Sequence, residues 1–215
     1  MFQDLRTSFG PARNQGSRPT CLAFALSDAH AVQRTPSDVL SAEHLFYHSA
    51  RRTSGWLAHE GVGLHAALAA LKADGQCAET DWPYLNTLPA DLAHWVPPAT
   101  AEPVFKRLSE VLSASVDDVV VALTSGRPAI LTMLLGERFF IPVNGIVSPG
   151  GGDTDVDYHA VVAVGHGTIG SERAILVRNS WGETWGLDGH AWVSEPYMQP
   201  RLYNVVLISE KEMLS

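Results

Sequence analysis

The chain has 215 residues, 46% of them hydrophobic, and a formal charge of −8. That length can bury a sizeable core, in one large domain or two small ones. The acidic balance argues against nucleic acid as a main partner, because phosphate binding needs clustered positive charge; no apolar run approaches the roughly 20 residues that span a bilayer, so no membrane partner is expected.

Residues 1–15 read as extended, with Pro11 interrupting any helix. Met1 to Pro11 has neither a basic n-region nor an apolar h-region, so no signal peptide is expected. Thr20 is placed to cap a helix from Cys21 to about Val32. Its apolar residues, Leu22 to Leu26, leave no polar face, so that helix belongs in the interior. Ser41, with Glu43 in the first turn, opens a second helix ending near Arg51; the Ala- and Leu-rich segment from Gly63 to Asp74 is a third, stopped by Gly75. Asp81-Trp82-Pro83-Tyr84 reads as a turn, and Pro89, Pro97, Pro98 and Pro103 as a linker-like stretch.

Beyond about residue 100 the pattern changes. Ser115 caps a helix with Asp117 and Asp118 in its first turn, favourable against the helix dipole, and Gly126 ends it. Strand-like runs follow at Ala129 to Leu135, His159 to Val164, Ala174 to Asn179, His190 to Val193 and Tyr203 to Ile208, with Gly150-Gly151-Gly152 as a loop. The expectation is an α+β chain of two lobes, a helical one over about 16–98 and a β-rich one from 1–15 and 99–215. A site assembled between lobes would form a cleft suited to an extended peptide.

Three segments carry chemistry. Asn14-Gln15-Gly16-Ser17-Arg18-Pro19-Thr20-Cys21 puts a glutamine six residues before a cysteine that opens an apolar helix. Tyr158-His159-Ala160-Val161-Val162 heads a strand with a histidine, and Arg178-Asn179-Ser180-Trp181-Gly182 ends one with an asparagine. A helix N-terminus and a neighbouring imidazolium both favour a thiolate at Cys21, although a lone cysteine is more often inert and buried. His159 would hold that thiolate and then protonate the leaving amine. Asn179 would accept from the ring and orient it, with Trp181 shielding the bond from water and Trp185 packing beside it on the leaving-group side, both tryptophans at the substrate. Gln15 and the Cys21 backbone N–H would donate to a developing oxyanion. A hydrogen-bonded core histidine, core tryptophans and a solvated loop glutamine are the plain readings of the same residues. The combination in one chain favours acyl transfer.

At these residues the chain resembles the papain family of cysteine peptidases, over about residues 4–208. The spacing of 138 residues from Cys21 to His159 and 158 from Cys21 to Asn179 suits that family. Its most specific part is Asn179-Ser180-Trp181-Gly182-Glu183-Thr184-Trp185-Gly186. The likeness is to small bacterial members without disulfides. Arg18 stands where the family usually has a disulfide cysteine, Leu22 replaces the usual aromatic after the nucleophile, and Tyr158 replaces an acidic or small residue. The resemblance implies a two-lobed fold with a helical lobe, an antiparallel β-barrel-like lobe and the site between them. It also implies substrate pairing along Gly61, Val62 and Gly63, and makes Ala129, Val156 and Met198 looser candidates for pocket walls.

The expected function is a cysteine peptidase acting on peptide or protein substrate, with a separate inhibitor or regulatory partner compatible with the site. Acyl transfer to another nucleophile (ligation, cyclisation, deamidation) and a silent peptide-binding module are the alternatives. Cys77 has no thiol partner if Cys21 is the nucleophile, so a reducing, cytoplasmic setting is expected. Gly165-His166-Gly167-Thr168-Ile169-Gly170 matches a dinucleotide fingerprint, but a strand rather than a helix follows it, so it reads as a hairpin connection. No cofactor is expected, and without H-E-x-x-H or C-x-x-C no metal site either.

Overall fold

The computed structural model describes residues 3–34 and 38–213, the last four of these by backbone alone. In chain order the elements are β1 (Gln3–Asp4), α1 (Cys21–Ala31), α2 (Ala42–Ala50), α3 (Leu64–Ala73), β2 (Lys106–Leu112), α4 (Val116–Thr124), β3 (Ala129–Gly136) and α5 (Glu137–Phe140). They continue with β4 (Ile146–Val147), β5 (Asp155–Ile169), β6 (Glu172–Arg178), β7 (His190–Ser194), α6 (Glu195–Met198) and β8 (Leu202–Met213). The chain forms two units: Gln15–Ser109 with Ile208–Ser215, and Met1–Asn14 with Glu110–Leu207.

The first unit is built on α1, α2 and α3, which pack on one another. Helix α1 buries eight of its eleven residues, so its apolar circumference places it inside as expected. Thr20 occupies its N-cap position without a capping side-chain bond; its hydroxyl stands 2.9 Å from the Tyr84 hydroxyl instead. Ser41 does cap α2, its Oγ accepting from the His44 N–H at 3.0 Å. The proline-rich stretch is mostly exposed and irregular, as a linker-like segment would be, but it is anchored at Trp95 and Ala101. Trp95, within it, is 4% exposed and donates Nε1 to Glu43 at 2.7 Å. Chain-order reading misses this because a buried tryptophan leaves no periodicity in an irregular segment. Among the described residues no helix is long and apolar enough to cross a membrane.

The sheet has the order β2-β8-β3-β5-β6-β7-β4, and its strands β3 to β7 lie in the second unit. Its pairs are antiparallel through β3, β5, β6, β7 and β8, while β4 joins β7 in parallel. The lobe expected to be antiparallel and β-barrel-like is a large, mainly antiparallel sheet that does not close into a barrel. The path ends at β2 on one side and at two-residue β4 on the other, and such a short edge strand offers few groups for closure. The outline misses β1, β2, β4, α5 and α6. Four of the five have four residues or fewer, and seven-residue β2 is half-exposed without strict alternation.

Long β5 organises the unit. Its first part pairs with β3 as far as Ala163, and β1 then takes the same side at Gly165 and His166. A Cβ at Gly165 would sit 2.7 Å from Gln3 O, so the close approach of β1 needs glycine there. The glycine-rich fingerprint is therefore mostly strand. Only Gly170, at φ +61°, lies in the turn to β6. Helix α4 covers one face, and the core is filled by Leu131, Met133, Val161, Ala163, Val177 and Val205 with Phe139, Trp185 and Tyr197.

Candidate active site

Gln15 and Cys21 belong to the helical unit; His159, Asn179, Trp181 and Trp185 belong to the sheet unit. Cys21 is the first residue of α1 and is partly exposed, at the positive end of the helix dipole. Neither Cys21 nor Cys77 is in a disulfide. Cys77 differs sharply from Cys21: it is wholly buried, and burial pushes its pKa up to about 11. Gln15 is buried, with Nε2 donating to Arg18 O at 2.8 Å.

In the sheet unit the register of β5 against β6 pairs Val162 with Arg178. Past the end of β6 the chain leaves this register, and Trp181 bridges to Asn14. Asn179 and His159 meet across this margin: His159 Nε2 and Asn179 Oδ1 are 2.7 Å apart, and the pair is buried. The Ser180 N–H also donates to Asn179 Oδ1, at 2.8 Å, so that atom is the acceptor and not the amide nitrogen. His159 Nε2 must then carry the hydrogen. In the neutral ring the basic atom is Nδ1, and the asparagine selects that tautomer. Trp181 lies against the ring with centroids 4.7 Å apart, excluding water from the bond.

Burial pushes the His159 pKa down to about 4, against the opposing pull of its Asn179 bond and the Asp157 charge. At neutral pH the ring is thus uncharged and able to accept a proton.

The turn carrying Asn179 is held from the N-terminal segment, residues 10–14. Gly182 N–H donates to Arg13 O at 3.0 Å, and Trp181 bridges to Asn14. Arg178 donates to Gly10 O and Pro11 O at 2.9 and 2.6 Å, pinning the same segment. Gly189 closes the turn at φ +78°, where a Cβ would come within 2.1 Å of Ala12 Cβ. Trp185 is 7% exposed, within the core, with Nε1 donating to Phe139 O at 3.1 Å. Its place is beneath Trp181, not on a substrate-facing surface. Trp181 keeps a partly exposed face, against which Phe140 stacks at 5.2 Å.

Gly61, Val62 and Gly63 form an irregular segment running into α3, with both glycines exposed and Val62 half-buried. A Cβ on Gly61 would lie 3.2 Å from Pro19 O, which sets this segment beside the loop before Cys21. Of the looser pocket candidates, Ala129 and Met198 are wholly buried in the core, which removes them as pocket walls, whereas Val156 is exposed. Sequence reasoning misses the polar cluster of Glu43, Tyr84 and Trp95 around Arg18. The available signal was Arg18 itself, a charged residue in a loop that enters an interior helix. Among the described residues no cluster of three side chains could hold a metal ion.

The chain is similar to several known proteins. An uncharacterized peptidase C1-like protein of Acanthamoeba polyphaga mimivirus is 24% identical over 194 residues, 82% of this chain and 62% of its own length. A cysteine protease of Blomia tropicalis is 25% identical over 208 residues, 90% of this chain and 60% of its own. The chain therefore spans about three fifths of the length of these curated relatives. Among solved structures, xylellain, a cysteine protease from Xylella fastidiosa, superposes with a TM-score of 0.79 at 22% identity, covering 97% of this chain and 85% of that one. The Carica candamarcensis cysteine protease solved in complex with E-64 gives a TM-score of 0.76 at 23% identity, with 97% of each chain covered. These likenesses show a papain-like fold. Residues 2–205 match the profile described as papain family cysteine protease, and the chain belongs to that family.

Proposed function

We propose that the protein is a peptide hydrolase working through a Cys21 thioester. The observation that carries this reading is the buried His159–Asn179 bond at 2.7 Å, which leaves Nδ1 as the basic atom of a shielded ring. Nδ1 takes the Cys21 proton as Sγ attacks the scissile carbonyl carbon. The developing oxyanion is met by the Gln15 amide and the Cys21 N–H. The tetrahedral intermediate collapses, the C–N bond breaks, and the imidazolium returns its proton to the leaving amine. Water then attacks the thioester while His159 takes its proton, releasing the acid and the Cys21 thiol. Membership of the family and the start of an interior helix at Cys21 support the assignment. Peptide substrate would lie along Gly61–Gly63, and Trp181 would flank the leaving group.

The test is to incubate wild type and Cys21→Ala with a peptide library, with and without an added primary amine, and to identify products by mass spectrometry. Hydrolysed peptides lost in Cys21→Ala are expected. Amide products dominating in the presence of amine would replace hydrolysis with ligation. No turnover, together with a Cys21 that iodoacetamide alkylates no faster than a free thiol, would overturn the reading.

A further inference from the structure

Arg18 lies between Gln15 and Cys21, and its side chain is buried. Burying a guanidinium is costly unless partners replace its hydration. Here its partners are numerous. Nη1 and Nη2 donate to the two carboxylate oxygens of Glu43 at 2.6 and 3.0 Å, and Nη1 also meets Leu85 O. The guanidinium stands over the rings of Phe46 and Tyr84 at 5.2 and 4.9 Å. Glu43, with no exposed surface, accepts in turn from Trp95 Nε1 at 2.7 Å and the Leu85 N–H at 3.0 Å. Tyr84 Oη donates to Gln15 O at 2.7 Å.

The backbone of Arg18 ties two neighbours together. Its carbonyl accepts from Gln15 Nε2 and from the Thr20 N–H, both at 2.8 Å. Thr20 O then receives the first helical bond of α1, from Phe24 N at 3.1 Å. An amide nitrogen carries two hydrogens, and holding one on the Arg18 carbonyl sets the direction of the other. One peptide group, anchored through its own side chain on α2, thus ties the Gln15 amide to the start of the helix that bears Cys21.

We propose that Arg18, locked by Glu43, is a positioning residue that aims the Gln15 amide and the first turn of α1 together, pre-organising the oxyanion donors. The inference rests on the peptidase reading above. The tie is a charge-assisted fork rather than a disulfide, so it holds whatever the redox state.

Arg18→Met should lower kcat about 10- to 100-fold with KM within about twofold, since a misaimed donor weakens only transition-state binding. Arg18→Lys should recover part of the loss, because one ammonium cannot bridge both carboxylate oxygens. The decisive readout is a double-mutant cycle: Gln15→Ala should cost about 10²-fold in wild type and little in Arg18→Met. Leu71→Ala, a core change in α3, should destabilise the chain yet keep kcat within about twofold below its melting temperature. If Arg18→Met does not fold, Glu43→Gln carries the same cycle. Wild-type kcat in Arg18→Met, independent effects of Arg18 and Gln15, or an equal kcat loss in Leu71→Ala would each overturn the proposal. A wild type that hydrolyses nothing is a failure of the peptidase reading instead. The positioning is then read from the nitrogen-15 side-chain amide signal of Gln15, which should lose its dispersion in Arg18→Met; an unchanged signal would also overturn it.

Discussion

Mild acid should unfold this protein, and three buried histidines set the scale. His30 is held down to about 3 by burial, with Arg107 and Arg34 adding to the effect against its Gln76 bond. His44 is held at about 4 by burial and by His48, against Gly75 O and Asp74, and His159 at about 4 by burial. Each folded value lies below the unfolded value of about 6.5, so the unfolded chain takes the proton first. The stability these rings contribute is full above about pH 6.5 and is lost as pH falls toward their folded values. At pH 5 each ring costs about 2 kcal/mol relative to pH 8, or about 6 kcal/mol for the three. That is comparable with the whole stability of an ordinary domain, about 5–15 kcal/mol. Urea unfolding of a Cys21→Ser variant, which cannot digest itself, can be followed by tryptophan fluorescence at pH 8.0, 6.5 and 5.0. His30→Gln should remove about one third of the slope. A flat stability between pH 6.5 and 4.5 would refute the claim that these rings are buried uncharged.

Other consequences are direct. Cys77→Ser should leave turnover intact, and iodoacetamide at neutral pH should label one thiol quickly and Cys77 only after unfolding, as its pKa near 11 demands. Asn179→Ala should lower kcat far more than it changes KM, because the His159 tautomer loses its selecting acceptor; steady-state kinetics with unchanged kcat would remove Asn179 from the site. Trp95→Phe should cost about 1.5–3 kcal/mol in thermal or urea unfolding, the worth of a bond to a buried charged group, and a neutral outcome would mean Glu43 is satisfied without it. Gly165→Ala should cost about 1–3 kcal/mol and expose the β1 amides to hydrogen exchange, since its Cβ would press on Gln3 O.

Much of the local structure was legible in order along the chain. Ser41 and Ser115 cap the helices they were expected to cap, Gly75 and Gly126 follow the helices they end, and the principal strands lie where apolar runs fall. These signals act within one turn of helix or one pleat of strand, so the order of residues alone carries them. The residue types for thiol chemistry were legible too, because Asn179-Ser180-Trp181-Gly182 and the cysteine at a helix start are local motifs. What needed the tertiary structure are the partners of buried polar groups. His159 meets Asn179 across 20 residues, Arg18 meets Glu43 across 25, and Trp95 reaches Glu43 across 52. The same holds for Trp185 as core, for β1 finding β5, and for the sheet remaining open. Each depends on which distant groups burial brings together, and no local propensity specifies that choice.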